Sequence, residues 1–263
     1  MRSKTIILLT AASLAAVASS PAAVTLYAEY LLGETGSLGT NNRPNDSSTN
    51  NRHFTSNTQA TTTSSTSVLT TGVFAPGSTA YLSTAGTGSE GWFGVGLSSL
   101  ATDNFAFGIY VRSFENTAAT RGKAFVTGGV NGAFGVGLAS NGWNAGAFGV
   151  SWIGPTNGVT GSFVANTWTH LAVIRSGGTA TFYINGAAQT GTSATLPVHG
   201  TGHLSVDPGS AFFFDGDMDN ARVVTFTAGE SASNVINALQ VPEPTSALLV
   251  GLGGLGLLLR RRR

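Results

Sequence analysis

The chain has 263 residues and no cysteine, enough for one sizeable core and without disulfides, thiolate metal sites or a cysteine nucleophile. Charged residues make up 10%, far below the usual quarter, and the 36 glycines are about twice the average share, so Thr, Ser, Asn and Gly carry the surface polarity. The formal charge of +1 comes from the two ends: residues 24–240 hold seven Lys and Arg against eleven Asp and Glu, a net of −4 that gives no support to nucleic-acid binding.

At the N-terminus, Arg2 and Lys4 precede an apolar run from Thr5 to Val17 that is too short to span a bilayer comfortably. Ala16-Val17-Ala18 then makes an A-x-A cleavage site, with a cut near Ala22 as the alternative. These flanks favour a removed signal peptide over residues 1–22 instead of a buried helix. From Val24 the pattern becomes short alternating runs cut by glycine, the signature of antiparallel β structure in a single domain over residues 24–240. Val24 to Leu32 reads as a first strand. A polar excursion from Gly33 to about Ser67 follows, with one short strand near His53-Phe54. Val68 to Phe74 and Thr79 to Ser83 are the next strands. Asn104 to Arg112 places Phe105, Phe107, Ile109 and Val111 on one face and Ala106, Gly108 and Tyr110 on the other, so it reads as a half-buried strand.

Three similar segments stand out: Gly91 to Leu97, Gly132 to Leu138 and Gly146 to Trp152. Their starts are 41 and then 14 residues apart, which is no fixed period and argues against a solenoid. Each reads as a strand with Phe, Val and Leu or Trp on one face and Gly or Ser on the other. Strand glycine implies close approach to the backbone. Packing by a neighbouring layer is the commoner cause; a shallow groove for a ligand is the other.

Trp168 to Ile174 predicts a strand, Arg175 to Gly178 a turn, and Ala180 to Ile184 a return strand closed by Asn185-Gly186, the strongest short hairpin signal. Thr227-x-x-Glu230 reads as a capping box before one amphipathic helix over Ala232 to Leu239. The tail then runs Val241-Pro242-Glu243-Pro244, an apolar stretch from Ala247 to Leu259, and Arg260, Arg261, Arg262 and Arg263. Thirteen to fifteen apolar residues reach only about 20–23 Å against a hydrocarbon core of roughly 30 Å, so the span suits a temporary anchor. Its arginines hold the C-terminus in the cytoplasm, which places everything upstream outside. Gly251-x-Gly253-x-x-Gly256 matches a dinucleotide fingerprint, but no strand precedes it and the match is accidental.

This ending closely resembles the PEP-CTERM sorting signal of Gram-negative bacteria. The resemblance assigns residues 241–263 to sorting, with Pro242, Glu243 and Pro244 as the motif recognised by an exosortase, a membrane protease-transpeptidase, and the four arginines as the membrane stop. It implies export, a transient inner-membrane anchor, then the cell surface or extracellular space. The domain resembles the concanavalin A-like, laminin-G-like modules of secreted bacterial proteins through Trp168, His170, Ala172, Tyr183, Asn185 and Gly186. The segment Phe214 to Val223 is similar to the family's closing strand, with Asn220 in place of the usual glutamate. Leu32-Gly33-Glu34 followed by Asp46-Ser47-Ser48 is similar to the opening of such domains. The resemblance implies an all-β, antiparallel jelly-roll sandwich with one short C-terminal helix, flanked by the signal peptide and the transmembrane sorting helix.

Candidate sites in the domain are sparse. His199 and His203 sit among glycines in what reads as turn or strand, so they lack the helix that zinc pairs of this spacing need. His170 reads as a strand histidine bonded to a neighbour. Asp215, Asp217 and Asp219 share one face at strand period and repel unless a cation or donors oppose them. Calcium is conceivable there, with Asp46 or Asn220 contributing, though surface acids and turn caps are the plainer reading and no cofactor is expected. Glycosidases of this fold need two carboxylates about 5 Å apart. Glu29, Glu34, Glu90, Glu115 and Glu230 are isolated, and no Gly-x-Ser-x-Gly elbow occurs. The expectation is a non-enzymatic exported module that binds glycan, such as exopolysaccharide, or protein, or acts structurally. The alternative is a carbohydrate-active enzyme of the same fold.

Overall fold

Apolar positions at a period of two, punctuated by glycine and Asn-Gly turns, form the strands of a two-sheet sandwich in the computed structural model. It describes residues 24–57, 67–84, 91–116, 122–129, 131–147, 149–154, 158–206 and 213–240. The signal peptide, Pro242 to Pro244, the apolar run and the four arginines lie outside these residues. In chain order the strands are β1 (Val24–Tyr30), β2 (Ser56–Asn57), β3 (Ser67–Leu69), β4 (Tyr81–Ser83), β5 (Trp92–Gly96), β6 (Phe105–Arg112), β7 (Gly122–Val126) and β8 (Phe134–Ala139). They continue as β9 (Gly142–Ala147), β10 (Ser151–Ile153), β11 (Thr169–Ser176), β12 (Thr179–Ile184), β13 (Ala187–Ser193), β14 (Thr201–Leu204) and β15 (Asp217–Phe226), with helix α1 (Ala232–Gln240) last.

The first sheet runs β13-β12-β11-β6-β15-β4-β3, with β1 also paired to β15; the second runs β10-β9-β8-β7-β14-β5-β2. Every strand pairing is antiparallel. Between the sheets lies one core that includes Tyr30, Trp92, Phe105, Phe107, Ile109, Phe125, Phe134, Trp143, Phe182 and Phe214. Edge-on ring contacts such as Phe107–Phe125, with centroids 5.6 Å apart, stitch the two layers together.

Strand β6 shows the predicted faces, but it is buried on both of them. Its second face is covered because α1 lies across the first sheet. Val235, Ile236 and Leu239 pack there on Ala106, Ala172, Ile174, Val224 and Phe226. Small side chains on the sheet make the seat for the helix. The helix starts as predicted, but its cap is Ser231, whose Oγ accepts the Asn234 N–H at 3.2 Å. Thr227 and Glu230 form a preceding turn instead, with Glu230 N–H bonded to the Thr227 carbonyl. No helix among the described residues is long and apolar enough to cross a membrane.

Two further expectations shift. The third similar segment is two strands: Gly146-Ala147 ends β9, and Ser151-Trp152 belongs to β10 after a turn. The short strand expected near His53-Phe54 lies at Ser56–Asn57. The long polar excursion is braced, not loose. Gly33 has φ +124°, and a β-carbon there would lie 2.7 Å from the Tyr81 nitrogen, so only glycine lets these backbones meet. Next to it the Glu34 carboxylate accepts the N–H groups of Thr79 and Ala80, at 2.6 and 3.0 Å. Asp46 likewise gathers the N–H groups of Glu29, Ser48 and Arg52.

Candidate glycan groove

The outer face of the second sheet carries a pocket of about 330 Å³. It is lined by Lys123, Val126, Gly135, Gly146, Ala147, Gly149, Val150, Ser151 and Trp152. Strand register explains the composition. Val126, Gly135, Gly146 and Trp152 stand opposite one another across β7, β8, β9 and β10, and Lys123, Gly137 and Asn144 form the row beside them. Because the inward neighbours Val136 and Ala145 belong to the core, the glycines face the other side of the sheet, where the Trp152 ring and the Lys123 side chain lie over them. A bulge in β7 between Lys123 and Phe125 breaks the strict alternation, so both Lys123 and Val126 reach the pocket.

Trp152, 40% exposed, forms one wall and Val150, 57% exposed, stands beside it. A β-carbon on Gly146 would come within 3.1 Å of the indole, so the ring lies directly across that glycine. Lys123 Nζ donates to Asn144 Oδ1 at 2.9 Å and stands 5.0 Å from the Trp152 ring centroid. Not all the strand glycines border this pocket. Gly137 is needed for close packing, since a β-carbon there would meet the Gly122 carbonyl oxygen. Both causes of strand glycine are therefore present, in adjacent rows.

The outer face of the first sheet, by contrast, holds polar side chains that pair with one another and with backbone carbonyls. Arg112 pairs with Asp217 at 2.8 Å, donates to Tyr81 Oη and to the Val73 carbonyl, and is flanked by the rings of Tyr81 and Trp168. Trp168 Nε1 donates to the same Val73 carbonyl at 2.8 Å. Arg222 pairs with buried Glu29 and donates to the Ala238 carbonyl near the end of α1. The His170 ring lies over Gly108, its backbone N–H donates to Asn185 Oδ1 at 2.8 Å, and its Nδ1 is 3.3 Å from Gln240 Nε2. Burial and then the Arg222 charge hold the His170 imidazole down at about 3, so it is neutral. The Trp-x-His hairpin thus seats the end of the helix from which the Pro-Glu-Pro tail departs.

Asp217 is committed to Arg112, while Asp219 is buried and pushed up to about 8, chiefly by loss of solvent. Asp215 precedes β15 and its carbonyl accepts the Ser113 hydroxyl. No group of three potential ligands placed to hold a metal ion occurs among the described residues. His199 and His203 do not converge on one point. His199 bonds to Thr127 Oγ1 and the Ala101 carbonyl and is lowered to about 4 by burial, while His203 belongs to β14. The groove's Lys123, Asn144 and Trp152 were not singled out from the sequence. The alternating glycines were the available signal.

A two-sheet antiparallel sandwich with these hairpins matches the family model described as the concanavalin A-like lectin/glucanases superfamily over residues 76–230. The chain belongs to this superfamily. Residues 240–263 match the PEP-CTERM protein-sorting motif, which marks an exported protein processed by an exosortase. Among solved structures, the chain is similar to domain 4 of AbnA, a GH43 extracellular arabinanase from Geobacillus stearothermophilus solved with arabinotriose. The identity is 17%, the TM-score 0.58, and the match covers 83% of this chain and 100% of that one. The Trypanosoma rangeli sialidase in complex with the inhibitor DANA gives 16% identity and a TM-score of 0.45, over 68% of this chain and 30% of the sialidase. No curated protein matches in sequence.

Proposed function

We propose that the mature protein is a non-enzymatic glycan-binding module, exported from a Gram-negative cell. In this reading an exosortase processes it at Pro242-Glu243-Pro244, and it is released to the cell surface or extracellular matrix after a transient stay in the inner membrane. The carrying observation is the pocket on the second sheet, bordered by glycines and a half-exposed indole, with no carboxylate among the described residues that line it. A sugar ring presents flat C–H faces, and a half-exposed indole offers a matching flat apolar surface. The volume is at the lower end of that of ligand pockets. Most glycoside hydrolases use a pair of carboxylates flanking the bond. Here Glu29, Asp217 and Glu34 are engaged in ion pairs or backbone hydrogen bonds elsewhere. Domain 4 of AbnA, solved with arabinotriose, supports a fold able to hold a sugar.

A glycan array combined with a hydrolysis assay on the secreted protein tests the reading. Binding without turnover supports it; turnover would establish the carbohydrate-active enzyme instead. The sorting arm is tested separately by Glu243→Gln, which is expected to leave the tail attached when the mass of the exported chain is measured. Unchanged processing counts against the assigned motif.

A further inference from the structure

We infer that, while the tail holds the chain in the inner membrane, the domain rests on the bilayer through one end of the sandwich, with Val73, Phe114, Val164 and Trp168 in the lipid headgroup layer. This rests on the transient anchoring proposed above. Helix α1 sets the direction. It begins after β15 has ended at Phe226 and runs back over the first sheet, with the Ala238 carbonyl at Arg222 and the Gln240 side chain at His170. Arg222 stands opposite Gly108 and His170 opposite Tyr110, so the helix points along β6 toward Arg112. Trp168 immediately precedes β11, and its ring centroid lies 5.0 Å from the Arg112 guanidinium carbon. Gln240 therefore hands on the chain near the Arg112 end of the sandwich.

The tether is short. Six residues, 241–246, separate Gln240 from the apolar run that starts at Ala247. Fully extended, those seven steps reach about 25 Å at most, and the headgroup layer takes up about 5–8 Å of it. The side chains at this end suit that layer. Val73 is 66%, Val164 58% and Phe114 45% exposed, and Trp168 is half-buried. Three of them gather about one guanidinium: the Val73 carbonyl accepts from both Arg112 and Trp168, and the Phe114 ring centroid is 5.5 Å from the Arg112 carbon. Val164 lies two residues before Asn166, whose N–H bonds to the Ser113 carbonyl. Tryptophan is enriched where a membrane meets water, and apolar neighbours add buried area. Arg112 is buried against Asp217 and Glu115 is an acid, so the attraction is apolar and requires no anionic lipid. Leu196 and Val198 are comparably exposed, but they sit near His199, which meets Phe105 at the opposite end of β6. That end is about 23 Å farther along the strand, and the tether leaves from the other one.

The chain has no cysteine, so single introduced cysteines can be labelled alone. The exported chain with its tail uncleaved is reconstituted in neutral phosphatidylcholine vesicles that carry a nitroxide quencher near the headgroups. An environment-sensitive fluorophore is placed at Val164→Cys or, as the far-end control, at Leu196→Cys; both positions are exposed, so neither label enters the core. The label at position 164 is expected to shift to the blue and be quenched, the label at 196 to do neither, and added salt to change nothing. Adding Val73→Ser and Phe114→Ser to the position-164 probe should remove the shift and the quenching. Equal quenching at both positions, or none at 164 in a chain that floats with the vesicles, overturns the inference and leaves the anchoring reading standing. Quenching that survives the two serines, or that needs anionic lipid, also overturns it, because apolar contact is then not what holds this end down. A chain that fails to float with the vesicles removes the anchoring reading and this inference with it.

Discussion

Asp219 offers the sharpest test of the buried polar face. It is fully buried, accepts the Asn220 N–H at 2.7 Å, and is pushed up to about 8 from the ordinary carboxylate value of 3.8, mainly by burial. At neutral pH it is therefore protonated in the folded protein and ionised in the unfolded one. The folded state binds the extra proton, so stability is fully present below pH 3.8 and is lost as pH rises toward 8, where the loss levels off. One pH unit within that window corresponds to about 1.4 kcal/mol, so between pH 5 and pH 7 this group alone removes roughly 3 kcal/mol. Asp219→Asn keeps the shape of the protonated acid and abolishes the titration. Urea denaturation of both proteins at pH 5, 6, 7 and 8 isolates the effect, because the histidines contribute equally to each. The variant should gain about 3 kcal/mol on the native protein between pH 5 and pH 7, the two converging only toward pH 3.8. A difference that stays constant across this range would refute a protonated Asp219.

His170 and His199, held down to about 3 and about 4, act in the opposite direction. Their stability is present above pH 6.5 and lost as pH falls through those values, so acid unfolding of Asp219→Asn should be no shallower than that of the native protein. Arg112→Met leaves Asp217 as an uncompensated buried charge, and a loss of about 3–5 kcal/mol is expected by chemical denaturation; Asp217→Asn together with Arg112→Met should recover part of it. Gly33→Ala forces a β-carbon to 2.7 Å from the Tyr81 backbone at φ +124°, so it should cost at least about 2 kcal/mol, or fail to yield folded protein. Leu239→Ala empties the seat of α1 and should cost about 2–3 kcal/mol, with hydrogen exchange accelerated first in residues 232–240.

Sandwich architecture was legible because its signals are local. The alternation of Phe105, Phe107, Ile109 and Val111 and the Asn185-Gly186 turn state strand faces and hairpin register directly, and both appear in the structure. The strand reading stopped where the signal depends on distant partners. Strand β13 is Ala187–Ser193, polar and largely exposed, and its strand state comes from the edge of β12 it pairs with. Burial of β6 on both faces required knowing that α1 folds back over it. The site was less legible still. Lys123 and Trp152 are 29 positions apart in sequence, and they meet only because β7, β8, β9 and β10 pair in one register and β7 carries a bulge.

The two outer faces divide the work of the molecule. On the first sheet, the residues that carry the family pattern are engaged internally: Trp168 with the Val73 carbonyl, His170 with Asn185 and Gln240, Glu34 with Thr79 and Ala80. They hold the hairpin, the loop and the final helix in place, so substituting them should report on folding and on how the tail is presented. On the second sheet the row Val126, Gly135 and Gly146 is covered only by the side chains of Lys123 and Trp152, which border the pocket. Glycine in a strand gives up stability, because it neither packs nor restricts the unfolded chain. Gly137 in the adjacent row has a backbone-packing reason for that cost, and Gly135 and Gly146 have a weaker one, the close approach of Val126, Phe125, Ser151 and Trp152. A larger side chain at either glycine should therefore push the Trp152 or Lys123 side chain out of the pocket, while Val136 and Ala145 face the core on the other side of the sheet.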